Sequence, residues 1–174
     1  MQFSKKAVTI LLPLIFTGNT FAEGYFGASL GAAGVDYDST ESDGYGFGRL
    51  FYGHRINDFL SAEAGFLTGS SADEEDKSDS KDDIEIDIFF VKAKAAIDIS
   101  ENNSLYATAG ADFYDYEIKD KNNNISKEDG VGYSYAFGWQ YSINKYFNTS
   151  IDLENSDLGD MKSGSINFSI MYNH

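Results

Sequence analysis

Residues 131–143 read VGYSYAFGWQYSI, and this stretch decides the fold because its bulky side chains fall on every second position. The odd-numbered positions hold Val131, Tyr133, Tyr135, Phe137, Trp139, Tyr141 and Ile143. The even-numbered positions between them hold only glycine, serine, alanine and glutamine. A period of two sustained over this length predicts a β-strand with one bulky apolar face and one face of small residues.

The same alternation recurs along the chain, so the stretch is one strand of several. After the turn at residues 144–146, Phe147, Thr149, Ile151 and Leu153 alternate with polar residues and predict an antiparallel partner. Eight strands are expected in all, at residues 24–37, 45–56, 60–66, 84–99, 105–116, 131–143, 147–154 and 165–174.

The connections between these strands are predicted to alternate in length. Short turns are expected at residues 55–58, 100–103 and 144–146. Longer, polar and mostly acidic loops are expected at residues 38–44, 68–83, 117–130 and 155–164. Short turns at one end and long loops at the other are typical of outer-membrane barrels.

The size of the side chains indicates which face of the sheet meets water. An eight-stranded barrel has an interior only just wide enough to be filled by side chains, so it cannot hold the aromatic face of every strand. We therefore predict an all-β fold, an eight-stranded antiparallel up-and-down transmembrane β-barrel with its bulky face toward lipid. The alternative is a soluble secreted binding barrel of the lipocalin type, in which the two faces are exchanged.

The N-terminal segment predicts secretion. Residues 1–22, MQFSKKAVTILLPLIFTGNTFA, combine two lysines, a short apolar run and a small-residue exit, which is the pattern of a signal peptide cleaved after Ala22. The apolar run is well short of the ~20 residues of a spanning helix. Residues 23–174 are then a single barrel domain. Its acidic charge, −15 for the whole chain, argues against nucleic acid as a partner.

One predicted strand, residues 84–99, does not keep a single phase. Ile84, Ile86 and Ile88 are even-numbered, whereas the apolar residues from Phe89 onward are odd-numbered. Either a β-bulge near residues 88–90 or a strand top that stands clear of the membrane would explain the change.

The charged residues within strands fall mostly on the small face, where they would point into the barrel: Glu63, Lys92, Lys94, Asp112, Asp152 and Glu154. The candidates for interior salt bridges are Arg49, Glu63, Lys92, Lys94, Asp112 and Asp152. Arg49 fits less well because it shares its face with Phe47 and Phe51. Such charges could form a path for protons or ions, but eight strands leave no open channel, which favours a packed polar interior.

The acidic loop at residues 72–83 is the candidate for divalent-cation binding, since clustered carboxylates supply the oxygen ligands of calcium. The competing interpretation is a solvated loop that repels like charge. Residues 120–131 begin like an EF-hand with Asp120, Asn122 and Asn124, but Ile125 and Val131 stand where a glycine and a bidentate glutamate are needed. No metal site and no cofactor are therefore predicted.

Catalysis has few candidate residues. A serine hydrolase needs a histidine beside its serine, and the two histidines, His54 and His174, lie at a turn and at the terminus. We expect a protein without enzymatic activity.

Three segments resemble the small eight-stranded outer-membrane barrels of the OmpA/OmpX type. They are residues 24–31 (GYFGASLG), 50–66 (LFYGHRINDFLSAEAGF) and 138–153 (GWQYSINKYFNTSIDL). The resemblance implies a monomer in the outer membrane of a Gram-negative bacterium, in contact with lipid and lipopolysaccharide and inserted by the barrel-assembly machinery. It also implies that Glu63 is the interior acid that pairs with arginine or lysine.

We expect a non-enzymatic outer-membrane barrel that contributes to envelope integrity and to surface interaction through its acidic extracellular loops, although the resemblance leaves several functions open. Members of the family stabilise the envelope, act as adhesins that bind host surface molecules, or protect against host defences. These barrels usually end in an aromatic residue, commonly phenylalanine, that the assembly machinery reads. This chain ends in His174 on the face shared with Tyr172, so less efficient assembly is expected.

Overall fold

The computed structural model describes residues 24–37, 40–71, 83–119 and 125–174. The predicted signal segment, residues 1–22, lies outside these ranges. The described residues form the strands β1 (Gly24–Tyr37), β2 (Thr40–Arg55), β3 (Leu60–Ser70), β4 (Asp83–Ser100), β5 (Asn103–Lys119), β6 (Ile125–Ser142), β7 (Phe147–Leu158) and β8 (Met161–Asn173). Within the described ranges, no helix has the length and apolarity needed to cross a membrane.

The eight strands close into a barrel. Each strand pairs antiparallel with its neighbours in sequence, and β1 pairs with β8 to complete the ring. The closing ladder runs from the pair Tyr25 and Asn173 to the pair Tyr37 and Met161. The predicted all-β, eight-stranded up-and-down barrel is therefore confirmed.

Three short turns lie at one end of the barrel together with Gly24 and His174, and we call this the turn end. The turns occupy residues 56–59, 101–102 and 143–146. In the first, the side-chain Oδ1 of Asn57 accepts hydrogen bonds from the backbone N–H groups of Phe59 and Leu60 at 2.9 and 2.8 Å. Asn144 does the same in the third turn. Such asparagine side chains stabilise tight turns, and the turns lie within two residues of their predicted positions.

At the opposite end, which we call the loop end, the prediction of four long loops is wrong for three of them. The stretches predicted as loops at residues 38–44, 117–130 and 155–164 lie largely within strands. Residues 120–124 alone separate β5 from β6, and a two-residue turn containing Gly159, at φ 74°, joins β7 to β8. The stretch predicted at residues 68–83 does keep a long connection, between the end of β3 and the start of β4.

These strands continue because apolar and polar residues still alternate at the loop end. There the apolar residues lie on the inner face and the polar residues on the outer face. In β5, the outward residue Phe113 is followed by the outward residues Asp115 and Glu117, while Tyr114 and Tyr116 point inward and are buried. A polar outer face and an apolar inner face suit a barrel wall that has left the bilayer and meets water. The outward acids give these strand tops the composition of loops, which is why the prediction failed.

The bulge predicted in β4 near residues 88–90 is absent. The ladders of β4 with β3 and β5 run without a register shift through this region. The inward face of the strand top carries four buried apolar side chains, Ile84, Ile86, Ile88 and Phe90. Glu85 and Asp87 alternate with them and are exposed. The other predicted explanation, a strand top clear of the membrane, agrees with this arrangement.

The bulky face of residues 131–143 points out of the barrel, as predicted. Phe137 is 68% exposed, whereas its neighbour Ala136 is 2% exposed. The outward apolar faces of the other strands continue this band around the barrel. It is a surface made for lipid, because its aromatic and aliphatic side chains have no partner layer to cover them.

The interior consists of two zones. Toward the loop end, apolar side chains fill the lumen, and we call this zone the apolar plug: Ala33, Val35, Tyr45, Phe47, Leu67, Ile84, Ile86, Ile88, Phe90, Tyr114, Tyr116, Ile118, Leu158 and Met161. Leu158 and Met161, which flank the β7–β8 turn, are fully buried. Toward the turn end the lumen is polar and charged.

Interior aromatic rings lie directly over glycines. A Cβ added to Gly27 would lie 2.1 Å from the ring of Phe51, and one added to Gly53 would lie 2.1 Å from the ring of Tyr25. These rings can lie flat against the wall only because glycine has no side chain there. Phe47 and Phe51 therefore share the inward face with Arg49, which removes the apparent conflict on that strand.

Candidate functional site

Glu154, on β7, is the centre of the ionic network inside the barrel. Its two carboxylate oxygens accept hydrogen bonds from the Nη2 and Nη1 groups of Arg49 at 2.9 and 3.1 Å. The Nζ atom of Lys92 lies 2.9 Å from the Oε1 atom of Glu154. All three side chains are buried. Because Arg49 is on β2 and Lys92 on β4, one carboxylate links three strands that are not neighbours in the sheet.

A second ionic pair lies nearby. The Nζ atom of Lys94 is 3.5 Å from the Oε1 atom of Glu63 and donates a hydrogen bond to Gln140 at 3.0 Å. The hydroxyl of Tyr25 donates to the same Glu63 oxygen at 2.5 Å. The Lys94 ammonium also lies 4.2 Å from the centre of the Tyr106 ring, close enough for a cation–π contact. The charge of Lys94 is thus balanced on several sides.

Two further interior acids, Asp152 and Asp112, lie beside the ionic pairs and have mainly polar neighbours. Asp152 accepts hydrogen bonds from the Tyr106 hydroxyl at 2.7 Å and from the Asn167 amide at 2.6 Å. Asp112 lies 4.0 Å from Lys92, at the limit of an ion pair. Both carboxylates are buried. The two hydrogen bonds to Asp152 offset the cost of removing that carboxylate from water, whereas the oxygens of Asp112 accept no hydrogen bond from the described residues and have the ammonium of Lys92 as their ion-pair partner.

The structure places all six predicted salt-bridge candidates in the lumen: Arg49, Glu63, Lys92, Lys94, Asp112 and Asp152. It brings Lys94 to Glu63, but it brings Arg49 and Lys92 to Glu154, which was predicted to point inward but was not among the salt-bridge candidates. The available signal was the position of Glu154 on the small face of its strand, two residues after Asp152. That the network keeps the barrel rigid remains a prediction.

Two small cavities lie in the part of the lumen that the structure describes. One cavity of about 10 Å³ lies where the apolar plug meets the ionic network, and a second of about 20 Å³ lies within the polar zone beside Glu63, Lys94 and Asp152. Each volume suits a single water molecule rather than an aqueous path. Arg49, Lys92 and Glu154 line both cavities, so the same residues that pair with one another also occupy the centre of the lumen.

The loop end carries a cluster of outward acids that we call the acidic rim: Glu85, Asp87, Asp115, Glu117 and Asp129. The pairing of β4, β5 and β6 sets Asp87, Asp115 and Asp129 side by side in one row. Lys127 is hydrogen-bonded to Glu117, and this bond raises the pKa of the Lys127 ammonium. Like charges directly opposite one another destabilise a sheet, so the rim is not explained by the stability of the barrel.

Behind the rim, Glu128 points inward and joins β6 to the apolar plug. Its carboxylate accepts hydrogen bonds from the hydroxyls of Tyr114, at 3.1 Å, and Tyr116. Burial and the hydrogen bond to Glu128 raise the pKa of Tyr114 to about 12. The strand tops are therefore held to the barrel from inside, while their outer face stays charged.

The predicted cation sites fall partly outside the described residues. Residues 72–82 of the acidic loop, and Asp120, Asn122 and Asn124 of the EF-hand-like segment, lie there. Residues 125–131 belong to β6, so an EF-hand loop over residues 120–131 is ruled out. Among the residues that the structure describes, no group of acids, histidines or cysteines could hold a metal ion.

The two histidines lie at the turn end. The ring of His174 stacks on Phe26, with ring centres 5.7 Å apart, and lies 6.3 Å from the ring of Tyr52. Its backbone N–H donates to the carbonyl of Gly24 at 3.2 Å. The terminal histidine therefore packs as an aromatic residue at the seam where β8 meets β1.

The closed barrel, its lipid-facing band and its polar lumen define a small transmembrane β-barrel. The chain matches the model of the outer membrane protein beta-barrel domain over residues 8–173. It belongs to this family and is a protein of the outer membrane. The soluble lipocalin-type alternative is therefore wrong. Among curated proteins, none matches the chain.

Several solved structures share the fold. The attachment invasion locus protein Ail of Yersinia pestis has 20% sequence identity and a TM-score of 0.66, with 89% of this chain and 100% of Ail covered. Neisserial surface protein A has 16% identity and a TM-score of 0.73, with 88% and 99% covered. OprG of Pseudomonas aeruginosa has 10% identity and a TM-score of 0.58, with 88% and 96% covered. At these identities the likeness concerns the fold alone.

Proposed function

We propose that the protein is a non-enzymatic barrel that contributes to the integrity of the outer membrane and offers its acidic rim for interactions at the cell surface. The observation that carries the proposal is the difference between the interior of the barrel and the outer face of its strand tops. Its lumen is filled by an ionic network and an apolar plug, whereas unexplained charge is concentrated on the outer face of the strand tops.

The orientation follows from the unequal ends of the barrel. Outer-membrane barrels have short turns on the periplasmic side and longer connections outside. The turn end of this barrel has three short turns, and the loop end has the long connection between β3 and β4. We therefore place the acidic rim outside the cell.

The filled lumen supports a structural role in preference to conduction. A solute would have to displace buried pairs such as Arg49 and Glu154, which costs several kcal/mol when one partner is left unpaired. The purified protein in planar lipid bilayers should therefore show no steady conductance.

The charge of the rim selects the kind of partner. Ail has been crystallised in complex with the heparin analogue sucrose octasulfate, which is an anionic ligand. The described strand tops of the present chain carry five outward acids in the rim beside Lys127, so an anionic polysaccharide would be repelled. We propose that the acidic rim binds cationic partners at the cell surface, such as basic segments of proteins, and that the protein acts as an adhesin in this way.

The envelope role and the role of the acidic rim can be tested by two measurements on the same set of strains. A knockout should be more sensitive to detergent, and the wild-type gene should restore resistance. A variant in which the five rim acids are changed to their amides should restore detergent resistance but lose adhesion to a polylysine-coated surface. Equal adhesion by this variant and the wild type would contradict the role of the rim, and unchanged detergent sensitivity in the knockout would contradict the envelope role.

A further inference from the structure

The outer face of β3, β4 and β5 carries a row of three phenylalanines near the loop end. Phe66, Phe89 and Phe113 are paired across these strands, and we call them the aromatic row. Their rings follow one another with centres 5.0 and 6.0 Å apart. Phe66 is 41% exposed and Phe113 is 42% exposed. The aromatic row is therefore a continuous apolar surface on the outside of the barrel.

The next outward residues toward the loop end are polar. Asp87 on β4 lies beside Asp115 on β5, and this row of the sheet continues to Thr68 on β3 and to Asp129 on β6. Successive outward residues of one strand are about 7 Å apart. Acids of the rim therefore lie immediately on the loop-end side of the aromatic row, and the described outer wall is amphipathic where it leaves the apolar band.

The charge of this wall favours a cationic partner. Lys127 balances the charge of Glu117, to which it is hydrogen-bonded, but the row of Asp87, Asp115 and Asp129 contains no base among its described members. A second copy of this chain would bring a second acidic rim to the same place and would be repelled. The wall therefore fits a partner that is basic on one face and apolar on the other.

The spacing of the strands indicates the conformation of such a partner. Neighbouring strands are about 4.8 Å apart, and one turn of an α-helix advances about 5.4 Å. A helix across β3, β4 and β5 can thus place one apolar residue per turn on the aromatic row and one basic residue per turn on the acidic rim. An extended segment repeats its side chains about every 7 Å. It would also leave its backbone N–H and C=O groups without partners beside the apolar band.

We propose that the aromatic row and the acidic rim beside it together bind a cationic amphipathic α-helix that lies across β3, β4 and β5 at the membrane surface. Helices of this kind place their apolar face at the boundary between headgroups and acyl chains, and the aromatic residues of outer-membrane barrels lie at the same depth. The basic face of the helix contacts the carboxylates, and its apolar face contacts the phenyl rings. The inference rests on the proposed surface role of the rim and names the partner of that surface.

The test uses the full mature protein in nanodiscs of phosphatidylcholine, a lipid without net charge. A fluorescent peptide of about 14 residues, made of leucine and lysine at helical spacing, is compared with a peptide of the same composition whose order gives no apolar face. The amphipathic peptide should bind about tenfold more tightly than the reordered peptide, and about tenfold more tightly than it binds empty nanodiscs. Its circular dichroism should become helical on binding.

Two variants test the contribution of the aromatic row. Phe89→Ala removes the central ring of the row, and Phe168→Ala, on the outer face of β8, is its matched control. Affinity for the amphipathic peptide should fall about three- to tenfold in Phe89→Ala and stay unchanged in Phe168→Ala. Equal affinity of the two variants would overturn the contact with the row. The comparison of the two peptides on the unmodified protein needs no variant to fold.

The outcomes distinguish this inference from the proposed function. Equal binding of both peptides, with binding lost when the rim acids become amides, would overturn the amphipathic helix and leave the acidic rim as a general cation-binding surface. Equal binding of the amphipathic peptide to empty nanodiscs and to nanodiscs with the protein would also overturn the inference. Adhesion of cells to polylysine would then decide the proposed function separately.

Discussion

Glu154 on β7 accepts both terminal N–H groups of Arg49 on β2, and it contacts Lys92 on β4 through the same carboxylate. Two cations from one side of the lumen thus depend on one anion from the other. Such a buried arrangement is costly to break, because removing one partner leaves charge that neither water nor protein compensates.

The substitution Glu154→Gln should therefore destabilise the barrel strongly. It leaves Arg49 and Lys92 buried without their common partner, and the free energy of unfolding should fall by about 3–5 kcal/mol. Urea unfolding in lipid vesicles, followed by the fluorescence of Trp139, measures the change. The exposed Glu101→Gln at the turn end is the control and should have little effect. Equal stability of the two variants would show that the network does not hold the barrel together.

The interior glycines should differ sharply from the outward glycines in their tolerance of a methyl group. Gly27→Ala places a Cβ 2.1 Å from the ring of Phe51, whereas no heavy atom lies within 4 Å of a Cβ at Gly48. Gly27→Ala should cost about 1–3 kcal/mol through overpacking, and Gly48→Ala should be close to neutral. Unfolding of the two variants under the same conditions tests the difference. If the clash with the Phe51 ring causes this loss, Gly27→Ala should cost less stability when it is made in a Phe51→Ala background. An equal cost in both backgrounds would show that the ring is not the cause.

In β7 the apolar residues lie on the outer face at mid-strand and on the inner face at the loop end. The same substitution, leucine to alanine, tests this at one position of each kind. Leu158→Ala removes a fully buried side chain of the apolar plug and should cost about 2–5 kcal/mol. Leu153→Ala removes a side chain that is 62% exposed on the outer face, so its effect should be less than half as large. Proteolysis of intact cells and urea unfolding both report the loss of the plug. Similar losses for the two variants would mean that the inward face of the strand does not become its apolar, buried face at the loop end.

The alternation of residues 131–143 was sufficient to predict a strand and the direction of its faces, because a lipid-facing surface requires large side chains on every second residue. The same rule failed at the loop end. There the wall meets water, so Asp115 and Glu117 face outward and their segment has the composition of a loop, although its ladder continues. Composition alone does not distinguish a polar loop from a strand with a polar outer face.

The inward direction of the site residues was likewise predictable, but their partners were not. The small faces of the strands contain Arg49, Lys92 and Glu154 at positions far apart in the sequence. Which acid meets which base depends on how the strands are staggered when the sheet closes. That stagger brings Arg49 to Glu154, rather than to Glu63 on the adjacent strand.

The central claim is that the acidic rim faces the outside of the cell on a barrel that spans the outer membrane. The chain has no cysteine, so a single introduced thiol reports its own location. Asp87→Cys in the rim should react with a membrane-impermeant maleimide on intact cells, whereas Glu101→Cys at the turn end should react only after the outer membrane is permeabilised. Labelling of Glu101→Cys but not Asp87→Cys on intact cells, or recovery of the protein in the soluble periplasmic fraction, would contradict the account.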